Sequence, residues 1–358
     1  MKKIHNSKYT GFNYNYFCKK AMTIYLFYFK IFIFFFIILL LSLLNKLKII
    51  LMKSNYFFIK EIRNDEDKQL FFKNKTLFYL HFRTRYLKKR NYIYNESNLV
   101  TFQQKLNWLI IHEKPEYKSN IVDKIGLHDY SIKILGKDIC VPILKIYDNI
   151  NEININELPN KFVLKLNHGS GMNIICNDKS KLNLKKALKQ LNDWKNINYG
   201  LHHAEFQYMY VKRKIYAEQF LTDNPIDYKI FCFNGECKFI RIRKIIKDKN
   251  KIIKLHNHYD INWKLTNLES KLGGYIRDPK IKIEKPHNLK LMINYANKLS
   301  QEFVFVRVDF YDFNNTIYLG ELTFSPSNSF LSWKNLKQSI YIASFINLNK
   351  IKKSFFNK

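Results

Sequence analysis

The sequence predicts an α+β fold in which β-hairpins alternate with helices. Short apolar runs with alternating side chains occur in pairs, and turn residues such as Asn-Gly and Asn-Asn separate the members of a pair. Between these pairs, apolar residues recur at helical spacing. Strands that pair with sequence neighbours favour layers of antiparallel sheet and helix over a doubly wound parallel sheet. A chain of 358 residues can bury a full core and has room for more than one lobe.

Residues 1–55 form a basic N-terminus that contains a candidate transmembrane helix. The segment 24–44 is apolar except for two positions and is long enough to cross a bilayer. Lysines flank both of its ends, so the distribution of positive charge does not fix its orientation. A start at Met22 or Met52, which would yield a soluble protein, is the alternative. We expect a single hydrophobic N-terminal anchor.

Three further regions follow this N-terminus. Residues 56–140 are mixed, basic and aromatic, and we predict helices over Leu99–Ile111 and Asp123–Leu135. The region 141–345 contains the clearest strand and helix patterns, and it therefore holds the candidate catalytic part. Residues 346–358 form a basic C-terminal tail.

The strands predicted within 141–345 form hairpins or flank short loops. They are Phe162–Asn167, Asn173–Asn177, Ile215–Phe220, Tyr228–Phe233, Glu236–Arg243, Phe303–Tyr311 and Thr316–Thr323. Two amphipathic helices lie among them. Ser180 is predicted to cap the first helix, whose apolar stripe runs from Leu184 to Trp194, and Pro286 is predicted to open the second. The segment between Arg243 and Pro286 is a polar stretch.

The net charge does not by itself identify a partner. With 61 Lys and Arg residues against 29 Asp and Glu residues, the formal net charge is +32, which normally suggests nucleic acid or an anionic surface. The lysines are scattered along the chain, and no known nucleic-acid-binding module is recognisable. A solvated basic surface is therefore favoured, and we expect no nucleic-acid partner. Five cysteines without a CxxC pair give no zinc-site spacing.

The run KFVLKLNHGSGMN contains the first candidate site. Lys165 ends a short apolar strand and is followed by the loop His168-Gly169-Ser170-Gly171. A lysine ammonium in this place can contact phosphate oxygens, and glycines allow backbone N–H groups to approach them closely. An exposed lysine before an ordinary loop fits this pattern equally well. The motif is neither a Walker A loop nor G-x-G-x-x-G.

Two carboxylates on a late hairpin form the second candidate site. Asp309 and Glu321 lie in otherwise apolar strands, where a carboxylate is costly unless it is paired or binds a cation. With a two-residue turn at Asn314-Asn315, Asp309 would face Gly320, and Glu321 would point to the opposite side. The two carboxylates share one side only if the connection has three residues or the hairpin contains a bulge. Two solvent-facing strand carboxylates are the simpler alternative.

Glu218 and Lys229 complete the candidate set. Glu218, in IYAEQFL, is placed to hold a ribose or to orient contacts with an adenine. Lys229, in DYKIFCFNGE, is placed to neutralise a phosphate in transfer. Taken individually, each residue type at such a position is more often a surface residue than a ligand.

Together, these ordered segments resemble the TupA-like branch of the ATP-grasp superfamily, which is linked to teichuronopeptide and surface-polysaccharide biosynthesis. The motifs that carry the resemblance are LPNKFVLKLNHGSGMNIICNDKSKL, EFQYMYVKRKIYAEQFL, DYKIFCFNGECKFI, YDINW and FVFVRVDFYDFNNTIYLGELTF. The resemblance runs from about Asp123 to Ser329, over half of the chain. It implies an ATP-grasp fold, in which two α+β lobes hold ATP between them.

The resemblance also implies roles for the candidate residues. ATP would contact Lys165, Lys229, Glu218 and the loop His168–Gly171, Mg²⁺ would bind Asp309 and Glu321, and Lys229 with Arg307 would stabilise the phosphoryl group in transfer. The chain departs from the family pattern at three positions. Thr323 stands where many ATP-grasp enzymes have the asparagine of E-x-N, although threonine is typical of the TupA-like branch. Met172 interrupts an S-G-G-N loop, and His128 stands where relatives have an arginine.

The activity implied by this resemblance is that of an ATP-dependent carboxylate–amine ligase working through an acyl phosphate. The acceptor would be a carboxylate-bearing glycan or a lipid-linked glycan precursor of a teichuronopeptide-like polymer or capsule, and the donor an amino acid or another amine. We expect the catalytic part on the cytoplasmic side of the membrane, where ATP is available. The alternative is a glycosyltransferase-like or catalytically weak accessory protein of the same pathway.

Overall fold

A computed structural model describes residues 96–248, 251–271, 273–351 and 355. The predicted transmembrane segment 24–44, with the rest of the basic N-terminus, lies outside the described residues, as does part of the predicted C-terminal tail. Within the described residues, no helix combines the length and the apolar character needed to cross a bilayer. The domain boundaries at residues 55, 140 and 345 stay predictions.

The described helices and strands alternate along the chain. The α-helices are α1 (Phe102–His112), α2 (Ser119–Val122), α3 (Gly126–Leu135), α4 (Leu184–Lys195), α5 (Tyr199–His203), α6 (Leu289–Ser300) and α7 (Leu336–Ser344). The strands are β1 (Ile143–Tyr147), β2 (Phe162–Leu166), β3 (Asn173–Cys176), β4 (Ile215–Gln219), β5 (Asp227–Phe233), β6 (Glu236–Asp248), β7 (Lys251–Tyr259), β8 (Ser270–Lys271), β9 (Phe305–Phe313), β10 (Thr316–Thr323) and β11 (Ser332–Trp333).

Two larger sheets organise these strands. One has four strands in the order β1-β4-β2-β3, and the other has five in the order β10-β9-β5-β6-β7. Strands β8 and β11 form a separate pair. Neighbouring strands in all three sheets run antiparallel. The predicted mixture of hairpins and helices is thereby confirmed.

Helix α4 begins later than its predicted cap. Asn183 precedes the helix, and its side chain accepts a hydrogen bond from the Lys186 N–H, so Asn183 is the N-cap. The prediction of Ser180 as the cap was wrong. Ser180 lies in a separate 3₁₀ turn that Asp178 caps. A second residue able to cap, placed directly before the apolar stripe, sets the start of the helix.

One face of the five-stranded sheet is covered by α6, and the other carries polar side chains. Helix α6 begins at Leu289, three residues beyond the predicted opening at Pro286, and its buried residues include Met292, Ala296 and Leu299. On β9, Val306, Val308 and Phe310 alternate with Arg307 and Asp309, and all are buried. Because side chains alternate along a strand, the apolar set packs in the core while the charged set shares the opposite face.

Strand β7 was not predicted, and β6 extends beyond its predicted end at Arg243 to Asp248. The polar stretch expected there is instead paired with β6 from Asp248 opposite Lys251 to Ile240 opposite Tyr259. Within β7, His256, Asn257 and His258 are buried although they are polar. Because three consecutive polar residues are buried, β7 lacks the alternation of apolar and polar residues by which a strand is recognised in a sequence.

Candidate active site

Residues of both larger sheets line one cavity of about 570 Å³. Nine of the ten predicted site residues line it: Lys165, Gly169, Ser170, Gly171, Glu218, Lys229, Arg307, Asp309 and Glu321. They come from strands and from the loop after β2, and they lie up to about 150 residues apart in the sequence, so the fold brings the two candidate sites together.

His168 is the exception. Its side chain is only 1% exposed and does not line the cavity. Burial, together with the charge of Arg213, lowers its pKa to about 4, so the ring is neutral at pH 7. The loop reaches the cavity through the three residues that follow His168.

A bulge at Gly320 places the two late carboxylates opposite one another. The turn of the hairpin has two residues, Asn314 and Asn315, both with positive φ. Leu319 pairs with Phe310, yet Glu321 pairs with Asp309, because the register shifts between Leu319 and Glu321. Of the two arrangements predicted to bring Asp309 and Glu321 to one side, a three-residue connection or a bulge, the structure has the bulge. The bulge lies near the middle of the ladder, between the pairs Leu319–Phe310 and Glu321–Asp309.

Glycine is required at this bulge for steric reasons. A Cβ on Gly320 would lie 2.8 Å from the Tyr311 ring and 3.4 Å from the Asp309 carbonyl oxygen. The first of these distances is too short for a stable contact. The register that serves Asp309 and Glu321 therefore depends on the residue between Leu319 and Glu321 having no side chain.

Asp309 is held by two cations. Arg307 donates from Nε to Oδ1 and from Nη2 to Oδ2, both at 2.6 Å, and Lys229 donates from Nζ to Oδ2 at 2.5 Å. Burial by itself would raise the pKa of Asp309, but Arg307 and Lys229 override burial and hold that pKa well below its usual range. Asp309 is therefore a buried carboxylate that stays ionised.

Glu321 belongs to the same network through Arg307 and Thr323. Arg307 Nη2 donates to Glu321 Oε1 at 2.9 Å and to Thr323 Oγ1 at 3.0 Å, and the Thr323 hydroxyl donates to Glu321 Oε1 at 2.9 Å. Glu321 Oε2 takes no hydrogen bond from the described residues. Thr323 thus orients the glutamate.

This arrangement fits a divalent cation in ligand type and in position. Magnesium prefers hard oxygen ligands and is usually held by one or two carboxylates. Asp309 and Glu321 are directly opposite across the ladder, and both line the cavity. A cation there would compete with Arg307 and Lys229 for the oxygens of Asp309. The strength of those two contacts therefore affects the affinity of the site for a metal.

On the four-stranded sheet, Lys165 and Glu218 form an ion pair across β2 and β4. Their side chains are 21% and 12% exposed, respectively. Each was predicted separately to contact a nucleotide, and the structure shows that they hold one another. A ligand that binds either side chain has to compete with this pair.

Lys124 is a cavity residue that the sequence analysis missed. It lies between α2 and α3, lines the cavity and donates from Nζ to the carbonyl oxygen of Gly169. Burial lowers its pKa, while Glu321 acts in the opposite direction. Asp123 accepts a hydrogen bond from Asn167 Nδ2 at 2.9 Å and so ties this connection to the end of β2. The predicted helix over Asp123–Leu135 begins only at Gly126, which leaves Lys124 free of helical geometry.

A polar ladder that runs across the five-stranded sheet was also missed. Glu321, Asp309, Lys229, Arg241 and His258 lie opposite one another on five consecutive strands. Four of the five line the cavity, and His258 does not. Alternation along β6 would have predicted that Arg241 shares a sheet face with Arg243. The order of the strands, which sets the neighbours of Arg241 across the sheet, is not visible in the sequence.

A second row of polar side chains, next to this ladder on the same sheet, contains Asp227 and Arg243. Asp227 pairs with Tyr311 on β9 and with Arg243 on β6, and all three line the cavity. Asp227 Oδ2 accepts from Lys229 Nζ at 2.7 Å. Lys229 therefore bridges Asp227 and Asp309.

His128 lies away from the cavity. Its Nδ1 is 2.7 Å from Asp138 Oδ2, and neither residue lines the cavity. His128 therefore contacts Asp138 and takes no part in lining the cavity.

Comparison with known proteins identifies the family of this chain. The chain belongs to the TupA-like ATP-grasp family, whose model matches residues 104–340. No curated protein sequence is significantly similar to it.

Among solved structures, three similar chains are all weak matches. For N5-carboxyaminoimidazole synthetase from Staphylococcus aureus, the TM-score is 0.33, with 12% identity over 59% of this chain and 46% of that one. For D-alanyl-alanine synthetase A from Vibrio cholerae, the TM-score is 0.39, with 12% identity over 65% of this chain and 65% of that one. For L-amino acid ligase from Bacillus licheniformis, the TM-score is 0.37, with 12% identity over 59% of this chain and 46% of that one. The matches thus span about half to two thirds of those proteins, and likeness at this level supports no statement about activity.

Proposed function

We propose that the protein is an ATP- and Mg²⁺-dependent ligase that joins a carboxylate to an amine. The observation that carries this proposal is the register of β9 and β10, which places Asp309 and Glu321 side by side next to Lys229 and Arg307. The same cavity contains Lys165 and the glycine loop. Cations, backbone N–H groups and paired carboxylates together suit a triphosphate with its metal.

The proposed reaction has two steps. The γ-phosphoryl group of ATP passes to a carboxylate oxygen of the acceptor, and the bond to the bridging oxygen breaks to release ADP. The amine then attacks the acyl carbon, orthophosphate leaves, and the amine loses a proton to form the amide. Such chemistry depends chiefly on positioning and charge stabilisation, which agrees with a cavity made of fixed cations and carboxylates.

The predicted site residues that line the cavity each have a role in this scheme. Lys165 and the N–H groups of Gly169–Gly171 bind phosphates, and Glu218 binds the ribose or orients the adenine contacts. Arg307 and Lys229 stabilise negative charge on the phosphoryl group in transfer. Mg²⁺ held by Asp309 and Glu321 supplies further charge stabilisation. Thr323 keeps Glu321 oriented through its hydroxyl.

We also propose the setting in which the ligase acts. The acceptor is a carboxylate on a glycan or a lipid-linked glycan precursor of a cell-surface polysaccharide, and the donor is an amino acid or another amine. The resemblance to the TupA-like family supports this assignment. The apolar segment 24–44 supports an anchor that keeps the catalytic part at the cytoplasmic face, beside lipid-linked intermediates.

Hydroxylamine trapping tests the proposed chemistry directly. With ATP, Mg²⁺ and a glucuronic-acid-containing acceptor, hydroxylamine in place of the amine converts an acyl phosphate into a hydroxamate. We expect hydroxamate and ADP in equal amounts, with both lost in Asp309→Asn and Glu321→Gln. Asp312→Asn is the matched control, because Asp312 lies on the same strand but does not line the cavity. If Asp309→Asn and Glu321→Gln form as much hydroxamate as the unchanged protein, the two carboxylates do not bind the metal.

A further inference from the structure

The basic end of the five-stranded sheet carries two arginines that the proposed mechanism does not use. Arg241 and Arg243 lie on β6, and both line the same cavity as Asp309 and Glu321. Arg241 is only 2% exposed. A guanidinium this deeply buried is normally paired with a carboxylate or fully hydrogen-bonded.

Neither arginine forms an ion pair with a carboxylate of the described residues. Arg241 has one long hydrogen bond, from Nη1 to Ser270 Oγ at 3.4 Å, and Arg243 donates from Nη2 to the Tyr275 hydroxyl at 2.6 Å. The Nε atoms of both arginines are buried without an acceptor in this part of the chain. Buried charged donors left in this state are costly. An anion bound between them would remove that cost.

The surrounding side chains do not supply this anion. His256 and His258 lie opposite Arg243 and Arg241 on β7 and are buried. Burial and the charge of Arg241 lower the pKa of His256 to about 4, so it is neutral at pH 7 and offers no negative charge. On the other side, Asp227 lies opposite Arg243 and its negative charge acts on Arg241, but its Oδ2 binds Lys229 and its buried Oδ1 accepts no hydrogen bond from either arginine.

The position of these arginines separates them from the metal carboxylates. Strands of a sheet are about 4.8 Å apart, so Arg241 lies roughly 10 Å across the sheet from Asp309, two strands away. Lys229 lies between them on β5. A molecule whose reacting carboxylate lies beside Lys229 can therefore extend toward β6 and present a second group to Arg241 and Arg243.

We propose that Arg241 and Arg243 bind a second anionic group, a phosphate or a second carboxylate, on the acceptor whose carboxylate is activated. This inference rests on the proposed ligase function and narrows its acceptor to molecules with at least two negative charges. Two donors from adjacent positions on one strand face suit the several oxygens of such a group.

The test is equilibrium binding of three small probes to the full chain, with Mg²⁺ and a non-hydrolysable ATP analogue present. Glucuronic acid 1-phosphate carries a carboxylate and a phosphate, glucaric acid carries two carboxylates, and methyl glucuronide carries one carboxylate. We expect at least one doubly charged probe to bind ten-fold or more tightly than methyl glucuronide. The better of the two identifies whether the second group is a phosphate or a carboxylate.

Variants of the two arginines locate the source of this preference. Arg243→Met and Arg241→Met are expected to abolish the preference and to leave the affinity for the ATP analogue within two-fold. Arg243→Lys, which keeps the charge, covers the case in which a methionine variant does not fold and is expected to retain part of the preference. Arg277→Met is the matched control, because Arg277 donates to the Thr266 carbonyl and lines a different cavity.

Two results would overturn the inference. One is equal binding of the three probes by the unchanged protein, and the other is a loss of ATP-analogue binding in Arg241→Met or Arg243→Met, which would assign the arginines to the triphosphate. Titration without nucleotide separates this inference from the ligase proposal. A preference for doubly charged probes in a protein that does not bind Mg-ATP supports the arginine site and contradicts the ligase.

Discussion

The two sheets that line the cavity hold their charges in different ways. On the four-stranded sheet, Lys165 and Glu218 form a single pair whose side chains are 21% and 12% exposed. On the five-stranded sheet, Lys229, Arg307 and Asp309 form a connected network with side chains 6%, 8% and 3% exposed. Partly exposed single pairs contribute about 0–1 kcal/mol, whereas removing one partner of a buried pair costs about 3–5 kcal/mol.

The four-stranded sheet therefore has an ion pair that a ligand can displace, whereas the five-stranded sheet has charges that are fixed in place before a ligand binds. The Lys165–Glu218 pair can open at little cost when a ligand offers its own phosphate and hydroxyl groups. The network around Asp309 is held by several hydrogen bonds and cannot rearrange without exposing buried charge. We therefore expect the four-stranded sheet to adjust to the nucleotide and the five-stranded sheet to supply a fixed frame for phosphoryl transfer.

The largest expected effect is that of Asp309→Asn. This change leaves Lys229 and Arg307 buried without their shared counter-charge, so we expect the free energy of unfolding to fall by about 3–5 kcal/mol. Turnover of ATP with Mg²⁺ should fall by about a hundred- to a thousand-fold, as expected for a lost electrostatic contact to the transition state. Denaturant unfolding and steady-state kinetics measure the two quantities. Asp312→Asn should leave both nearly unchanged, and equal effects in the two variants would contradict a special role for Asp309.

The next effect in size concerns the bulge. Gly320→Val places a side chain against Tyr311, and we expect a loss of about 1–3 kcal/mol in the free energy of unfolding, as for overpacked sites. Affinity for Mg²⁺, measured by titration in the presence of ATP, should fall because Glu321 no longer faces Asp309. Gly273→Val is the control, since a Cβ there meets no heavy atom within 4 Å. Unchanged Mg²⁺ affinity in Gly320→Val would show that the register does not matter for the metal.

Acid should destabilise both sheets through buried neutral histidines. His168 and His256 have pKa values lowered to about 4 by burial, against 6.5 for an unperturbed histidine. The unfolded state therefore binds more protons between pH 6.5 and pH 4, and the stability present above pH 6.5 is lost as the pH falls through this range. Each histidine should account for about 2 kcal/mol between pH 7 and pH 5. Denaturant unfolding at several pH values should show a smaller slope in His168→Asn and in His256→Gln; an unchanged slope would argue against their burial as neutral rings.

The smallest effect on stability is expected for Lys165→Met. We expect the free energy of unfolding to change by less than about 1 kcal/mol, because the lost pair is partly exposed. The KM for Mg-ATP should rise by about ten-fold, which corresponds to one lost phosphate contact of about 1.4 kcal/mol. Lys145→Met is the control, because Lys145 pairs with Glu157 and does not line the cavity. A large loss of stability without a change in KM would place Lys165 in the framework of the sheet.

Sequence reasoning reached some of these features because they are local. The strand that contains Lys165 and the hairpin that joins Asp309 to Glu321 are each set by alternation and by turn residues within about 15 positions. The need for either a bulge or a three-residue connection followed from counting residues between the two carboxylates. The bulge site did not follow, because it depends on the Tyr311 ring beside Gly320.

Other features depend on long-range pairing and were missed. Strand β7 carries buried polar residues, including His256 and His258, so its alternation does not mark it as a strand. Lys124 reaches the cavity through its bond to Gly169, 45 positions away. The N-cap of α4 is Asn183 and not the predicted Ser180. Both residues are able to cap and lie close together, and the sequence does not show which of them does so.

By itself, the sequence determined which chemical groups are available and which of them share a strand face, since alternation along a strand is a property of the backbone. The tertiary structure decided which groups meet. The order β10-β9-β5-β6-β7 puts Lys229 between Asp309 and Arg241, and that order arises from packing between segments far apart in the chain. Charges interact over a few ångströms, so the neighbours across strands determine whether a carboxylate is paired with a cation, binds a metal or is left to a substrate.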